Sequence, residues 1–387
     1  MSKIDFNRYL RMDLPKGQSC FLWGARKTGK STYLRQNFPK ALYIDLLKAD
    51  VFQHYLKYPQ SLRQELQTID TYETIIIDEV QKVPALLDEI HFLIEEKKNL
   101  TFILCGSSSR KLRSTGANLL GGRAWRSMFL PLCYQEIQEL DWNKIFNNGL
   151  IPSHYLQEDS SRSLSSYIFD YILTEVHLEA NLRKRESFAR FLDTLGFAQG
   201  EMINFTNIAR DCGVDAKTVR TYFEILEDMY LGYFIYPFRK QSKRQTLSQT
   251  PKFYLFDTGI ASYLRRFEFK EMIGSEAEKA FEHFIYLEIK AYLLLNNKRD
   301  DVTYWRTKEG VEVDFIVQNQ AFEVKISESI QDRHVKNLIV FGKEFDHFLN
   351  VIAFEPFKKV IEKNGLMVTV WPVEEFLIEL WKGNIIK

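Results

Sequence analysis

The chain has 387 residues, 45% hydrophobic and 14% aromatic, with 52 Lys+Arg against 51 Asp+Glu. That composition excludes a disordered or low-complexity protein, and the length calls for two or three packed domains. The near-neutral balance excludes a molecule-wide polyanion-binding surface, so any nucleic-acid contact must be a local patch. The four cysteines (Cys20, Cys105, Cys133, Cys212) form no CxxC pair, which speaks against zinc and against a disulfide framework. Residues 1–5 lack the apolar core of a signal peptide, and no apolar run is long enough to span a bilayer, so a cytoplasmic protein is expected.

In chain order, the first predicted strand is 19–23. It runs into Gly24-Ala25-Arg26-Lys27-Thr28-Gly29-Lys30-Ser31-Thr32, after which a helix opens. Gly, four residues, then Gly-Lys-Ser is the spacing of a phosphate-binding loop. Backbone N–H groups of such a loop curl around phosphate oxygens, and glycines allow the close approach. The helix N-terminus adds positive potential. Lys30 is expected on the β- and γ-phosphates of ATP and Ser31 on Mg²⁺. A second strand is predicted at 41–45. A third, at 74–78, is a β-branched run of the kind buried on both faces of a parallel sheet, and it ends in Asp78-Glu79. Ligands bind at the carboxyl ends of such strands, so Asp78 is expected to hold Mg²⁺ and Glu79 to polarise the attacking water. A fourth strand at 100–106 leads into Ser107-Ser108-Ser109, where Ser107 or Ser108 would sense the γ-phosphate; Ser108 is placed in the site. Arg110, Arg113, Arg123 and Arg126 are arginine-finger candidates, in cis or across a subunit interface, with Arg123 leading.

The phosphate loop, Ile75-Ile76-Ile77-Asp78-Glu79-Val80-Gln81-Lys82-Val83-Pro84, Gly106-Ser107-Ser108-Ser109-Arg110 and Gly122-Arg123-Ala124 together resemble a prokaryotic family. It is the group of AAA-type ATPases that carry a C-terminal DUF4143 domain. The resemblance implies an AAA-like core with Lys30, Ser31, Asp78 and Glu79 in the roles above.

From 131 to about 200 the apolar spacing is helical, as expected of a lid. Residues 208–215 then read as a helix, a glycine turn and an N-cap aspartate, and 218–226 as a second helix. Two short helices joined this way suggest helix-turn-helix, with Lys217, Thr218 and Arg220 at the reading end. Paired strands at 231–238 and 252–256 would form a wing. Their connection carries Arg239, Lys240, Lys243 and Arg244, a basic patch for DNA phosphates. The acids Glu224, Glu227 and Asp228 on the second helix favour the alternative, an interdomain packing element.

In the last third, strands at 311–317 and 321–326 are separated by a three-residue turn. They place Asp314, Glu323 and Lys325 on one hairpin, with Glu323 and Lys325 on the same face. Two carboxylates and a lysine suit metal-assisted phosphodiester hydrolysis. Ordinary cross-strand charge pairing is the competing explanation. The pattern resembles the restriction-endonuclease-like superfamily, an Asp followed by Glu-x-Lys on the next strand. Glu282 on the preceding helix matches the acid that many of its members carry. That resemblance implies Glu282, Asp314 and Glu323 as metal ligands.

The sequence therefore predicts an α/β protein in four parts. They are an AAA-like P-loop ATPase core (1–130), a helical lid (131–200), a winged helix (201–265) and a restriction-endonuclease-like domain (266–387). The function expected is ATP hydrolysis coupled to a Mg²⁺-dependent nuclease acting on DNA, in a protein that forms homo-oligomers. The alternative is a regulatory ATPase whose last two domains bind nucleic acid or protein without cutting.

Overall fold

The computed structural model describes residues 6–68, 71–97, 99–114, 120–137, 139–177, 185–238 and 250–387. Five parallel strands build the N-terminal sheet: β1 (Ser19–Trp23), β2 (Leu42–Asp45), β3 (Thr74–Asp78), β4 (Thr101–Gly106) and β5 (Ala124–Met128). Their order is β2-β3-β4-β1-β5. The unbroken apolar run of β3 has a clear packing reason. Ile75 and Ile77 enter one core with the helix Leu86–Glu96, while Ile76 enters a second core with helix α1 (Lys30–Asn37) on the opposite face. The fifth strand has no counterpart in the sequence reading. Ala124-Trp125-Arg126-Ser127-Met128 shows no apolar run because it is an edge strand, with Trp125 and Arg126 exposed and β1 as its partner.

Past this core, helices alternate with a π-helical run, Tyr167–Val176, up to Arg185–Ala198. Helices α2 (Phe205–Cys212) and α3 (Ala216–Asp228) follow. Gly213 ends α2 in the left-handed region (φ 67°), and the Asp215 carboxylate caps α3 by accepting from the Thr218 amide at 2.8 Å. Strands β6 (Gly232–Pro237) and β7 (Lys252–Leu255) pair antiparallel. The basic residues of their connection, Arg239, Lys240, Lys243 and Arg244, lie outside the described residues, as does the Arg113 side chain.

The hairpin is not a free wing. Tyr236 and Pro237 of β6 pair in parallel with Thr303 and Tyr304 of β8 (Thr303–Arg306), so the expected boundary at 265/266 cuts through one eight-stranded mixed sheet. Its order is β12-β13-β11-β10-β9-β8-β6-β7, with β9 (Glu312–Val317), β10 (Gln320–Lys325), β11 (Phe348–Ala353), β12 (Lys359–Lys363) and β13 (Leu366–Pro372). The long helix α4 (Gly274–Leu295) and the last helix α6 (Val373–Trp381) cover one face; α5 (Lys336–Gly342) covers the other. Thr303 pairs with Ile316 but Trp305 with Val313, so Asp314 and Phe315 together face Tyr304. This bulge re-aims Asp314, a device often found beside functional sites.

Candidate nucleotide site and carboxylate centre

The loop between β1 and α1 is drawn tight by its own side chains. Thr28 Oγ1 donates to the Ala25 carbonyl at 2.9 Å, and Gly29 takes φ 101°, a conformation that L side chains rarely adopt. Gly24 lies so close to Phe129 that a Cβ there would stand 2.0 Å from its carbonyl oxygen. The buried Lys30 ammonium donates to the Gly24 and Ala25 carbonyls, both at 2.8 Å. Arg26 and Lys27 turn their side chains toward the π-helical run, over the rings of Tyr171 and Tyr167, and the Tyr167 hydroxyl donates to the Arg26 carbonyl at 3.1 Å. Any role for Arg26 and Lys27 toward a nucleotide is thus through the backbone. Thr32 is exposed on the first turn of α1.

Ser31 Oγ donates to Asp78 Oδ2 at 2.6 Å, and the Tyr43 hydroxyl donates to the same oxygen at 2.5 Å. A hydroxyl and a carboxylate side by side are hard oxygen donors, and they fit Mg²⁺. Glu79, next along, sits in the left-handed region at φ 58°, a strained position for a residue with a side chain. Its Oε2 accepts from Gln81 Nε2 at 2.5 Å and from Ser107 Oγ at 3.3 Å.

Two expectations for this site change. Ser108 does not face Glu79; its hydroxyl accepts from the Arg110 amide at 3.3 Å, as turn serines do, and Ser107 takes the position beside the acid. Arg123 stands at the wrong end of the sheet. Its neighbour Ala124 is level with Ser19 at the start of β1, about 13 Å of strand away from the loop after Trp23, and its guanidinium pairs with Glu95. It does not reach the nucleotide loop of its own chain. Arg110 pairs with Asp228 at the end of α3 (3.1 Å), which ties the tip of β4 to that helix.

In the C-terminal sheet the ladder between β9 and β10 ends at Phe315–Phe322. Beyond it Asp314 Oδ2 accepts from the Val324 amide at 2.8 Å. Lys325 Nζ lies 3.1 Å from Glu323 Oε1 and 3.2 Å from Glu278 Oε1, while Glu323 Oε2 is buried with no hydrogen-bond partner. Glu282 faces Asp314, but its carboxylate is held by the Tyr254 hydroxyl and lies 3.8 Å from Lys252 Nζ; Lys252 also pairs with Glu312, and Glu312 with Arg306.

Burial is the main influence on these carboxyls. It pushes Glu282 up to about 7, with the Asp314 charge adding to it. It raises Asp314 against the pull of Lys325 and Lys252, and it raises Glu323 well above its usual range with Asp314 contributing. For Lys325, burial alone would lower the ammonium, but Asp314, Glu323 and Glu278 outweigh it and raise it. For Glu312 burial is likewise overcome, and Lys252 and Arg306 hold its carboxyl below the usual range. Among the described residues this network has two more carboxyls than cations.

Protein-family comparison places an "AAA domain" model on residues 16–138 and a "Domain of unknown function (DUF4143)" model on 277–376. This chain is an AAA-domain protein with a C-terminal DUF4143 domain. A third model, "Domain of unknown function (DUF8612)", matches 139–271 between them. An uncharacterized protein of Methanocaldococcus jannaschii is 24% identical over 309 residues, covering 65% of this chain; the match spans 63% of that protein's length. Among solved structures, the chain is similar to the replication initiator DnaA bound to AMPPCP and single-stranded DNA (13% identity, 56% of this chain and 84% of that one, TM-score 0.28). It is also similar to domain III of the Thermotoga maritima replication initiation protein DnaA (16% identity, 50% and 82%, TM-score 0.21).

The N-terminal sheet brings Lys30, Ser31, Asp78 and Glu79 to the carboxyl ends of β1 and β3, the two strands that flank β4. The DUF4143 sheet brings Asp314, Glu323 and Lys325 together. It does not free Glu282, and among the described residues no group of three or more His, Cys, Asp or Glu side chains is arranged to hold a metal ion. The expected metal set Glu282, Asp314 and Glu323 is therefore not assembled as such. The Asp314–Glu323 pair, with the unpartnered Glu323 oxygen, fits a hard cation that keeps several waters. Tyr43, Gln81, Glu278 and Lys252 have no place in the sequence reading. Gln81 stood in a quoted motif, and a lysine opening an aromatic strand (Lys252-Phe253-Tyr254) was the visible sign of a buried cation. No helix of the described residues is long and apolar enough to cross a membrane.

Proposed function

We propose that this protein binds and hydrolyses ATP through its AAA domain. The observation that carries this reading is the Ser31–Asp78 hydrogen bond above the Lys30 loop, with Glu79 one residue on. Lys30 would neutralise β- and γ-phosphate oxygens, the loop amides would orient the triphosphate, and Ser31 and Asp78 would hold Mg²⁺. The metal when bound supplies charge neutralisation on the phosphates. Glu79, once released from Gln81 and Ser107, would accept the proton of the attacking water. Since Arg123 is remote from its own loop, a finger role for it requires a second copy, in keeping with a homo-oligomer. Phosphate release in the presence of Mg²⁺ tests the core claim; activity retained in Lys30→Ala would refute it.

For the DUF4143 domain we propose a Mg²⁺-dependent nuclease centre acting on DNA, with Asp314 and Glu323 as ligands and Lys325 stabilising developing charge. The excess of two carboxyls and the unpartnered Glu323 oxygen support a divalent cation there. The non-cleaving alternative, a regulatory ATPase, is favoured by one observation: Tyr254 and Lys252 occupy Glu282. Incubation of plasmid and linear DNA with Mg²⁺ or Mn²⁺, with and without ATP, separates the two. The nuclease reading expects cleavage that Asp314→Asn and Lys325→Ala abolish while ATP turnover persists. Intact DNA under every condition refutes it.

A further inference from the structure

Residues 6–14 form neither helix nor strand, yet they are held on both sides. Resting on the nucleotide-site reading above, we infer that Arg8 is a positioning residue for the phosphate loop. We infer further that the Arg8–Tyr9 step carries the state of that loop to the DUF4143 domain.

The Arg8 guanidinium donates through both terminal nitrogens, while its Nε is an ion-pair contact that makes no hydrogen bond. Nη1 donates to the Thr28 carbonyl at 2.6 Å, Nη2 donates to the Leu130 carbonyl at 2.6 Å, and Nε lies 3.0 Å from Glu136 Oε1. The plane stacks 4.2 Å over the Phe129 ring. Planar donors at fixed angles suit such a set, and a lysine could not reproduce it. The grip on Thr28 has a direct consequence for phosphate binding. In a trans peptide the carbonyl and the following N–H point in opposite directions. Holding the Thr28 carbonyl on Arg8 therefore turns the Gly29 N–H away from Arg8, and Gly29 is the residue that precedes Lys30. Loop amides that point inward before the ligand arrives need no reorganisation on binding.

Tyr9 faces the other way. Its amide donates to the same Glu136 oxygen at 2.7 Å, its hydroxyl donates to Asn296 Oδ1 at 3.2 Å just past α4, and its ring meets Trp381 of α6 edge-on at 4.7 Å. Trp381 Nε1 in turn donates to the buried Glu288 of α4 at 2.9 Å. Adjacent Cα atoms are only about 3.8 Å apart, and the chain bends at Tyr9. One residue thus touches the loop and the next touches the DUF4143 helices. Leu10 and Met12 are buried beside α1, and the Tyr33 hydroxyl of α1 donates to the Leu10 carbonyl at 3.1 Å, so the segment moves with the helix that follows the loop.

The test uses the full chain, with a fluorescent ATP analogue for affinity and hydrogen exchange of residues 373–381 with and without ATP. Arg8→Lys keeps the charge beside Glu136 but loses the fork; about tenfold weaker binding is expected. Glu136→Gln leaves the bonds to Thr28 and Leu130 in place and is expected to stay within about threefold of wild type. Tyr9→Leu is expected to bind normally yet lose the ATP-induced change in exchange at 373–381. Wild-type affinity in Arg8→Lys, equal losses in Arg8→Lys and Glu136→Gln, or a wild type that binds ATP without altering exchange at 373–381 would each overturn the inference. A wild type that fails to bind the analogue overturns the nucleotide site itself, and the roles of Arg8 and Tyr9 with it.

Discussion

Replacing Gln81 by Met is expected to raise the basal rate of ATP hydrolysis. Glu79 Oε2 is held by Gln81 Nε2 (2.5 Å) and Ser107 Oγ (3.3 Å), and all three residues are buried. The carboxylate must leave these donors before it can reach a water beside the γ-phosphate. A hydrogen bond to a charged acceptor contributes about 1.5–3 kcal/mol, and each 1.4 kcal/mol or so is a factor of ten in rate. Where release of Glu79 limits turnover, Gln81→Met should therefore raise kcat by about 10- to 100-fold, with Ser107 setting a lower yield. KM should hardly change, because Gln81 touches neither Lys30 nor Ser31. Stability should fall by no more than the contribution of the Gln81–Glu79 hydrogen bond, since the substitution also removes Gln81 Oε1, a buried oxygen with no hydrogen-bond partner. A coupled-enzyme assay of phosphate release reads both constants. Glu79→Gln, in parallel, should abolish turnover while retaining nucleotide affinity. A fall in kcat for Gln81→Met would mean that Gln81 orients the base, and the reasoning would fail.

The buried Asp257 carboxylate accepts from the amides of Leu150 (2.6 Å), Ile151 (3.1 Å) and Ile260 (3.0 Å). Asp257→Ala strands all three, so urea unfolding should show a loss of about 3–6 kcal/mol; a loss below about 1 kcal/mol would contradict this account. Burial raises the Glu288 carboxyl to about 8. Because its folded pKa is above the unfolded value, the native state holds the proton longer, and the contribution is fully present at low pH and declines as pH rises toward 8. Between pH 6.5 and 8 wild type should lose stability at up to about 1.4 kcal/mol per pH unit relative to Glu288→Gln; parallel profiles for the two proteins would refute this. Ser31→Ala should weaken Mg²⁺-dependent binding of an ATP analogue while leaving its metal-free binding nearly unchanged, as titration calorimetry can measure.

The legible parts of the fold were those whose signal is local. Gly24 to Ser31 is a contiguous loop whose glycines and lysine have one structural use at that spacing, and Ile75-Ile76-Ile77 announces a strand buried on both faces. Asp215 and Gly213 likewise mark their helix ends within four residues. Strand β5 was invisible because an edge strand buries one side weakly and needs no apolar run. Ser107 and Ser108 could not be told apart, since which of two adjacent hydroxyls meets Glu79 depends on how β3 and β4 end beside each other. Arg123 looked like a finger from its motif; the parallel register of β5 with β1 sends it to the far end of the sheet.

The chain's own order of residues was enough to read the AAA core, to bring forward Lys30, Ser31, Asp78 and Glu79 as nucleotide-site candidates, and to group Asp314, Glu323 and Lys325 on one hairpin. Tertiary packing settled what each charged group does there. Glu282 pairs with residues 28 and 30 positions away (Tyr254 and Lys252), Lys252 pairs with Glu312 60 positions away, and Arg8 reaches Leu130 across 122 positions. Periodicity and motif spacing report on neighbours along the chain. Partners of buried charges are chosen by which elements the sheets and helices bring face to face.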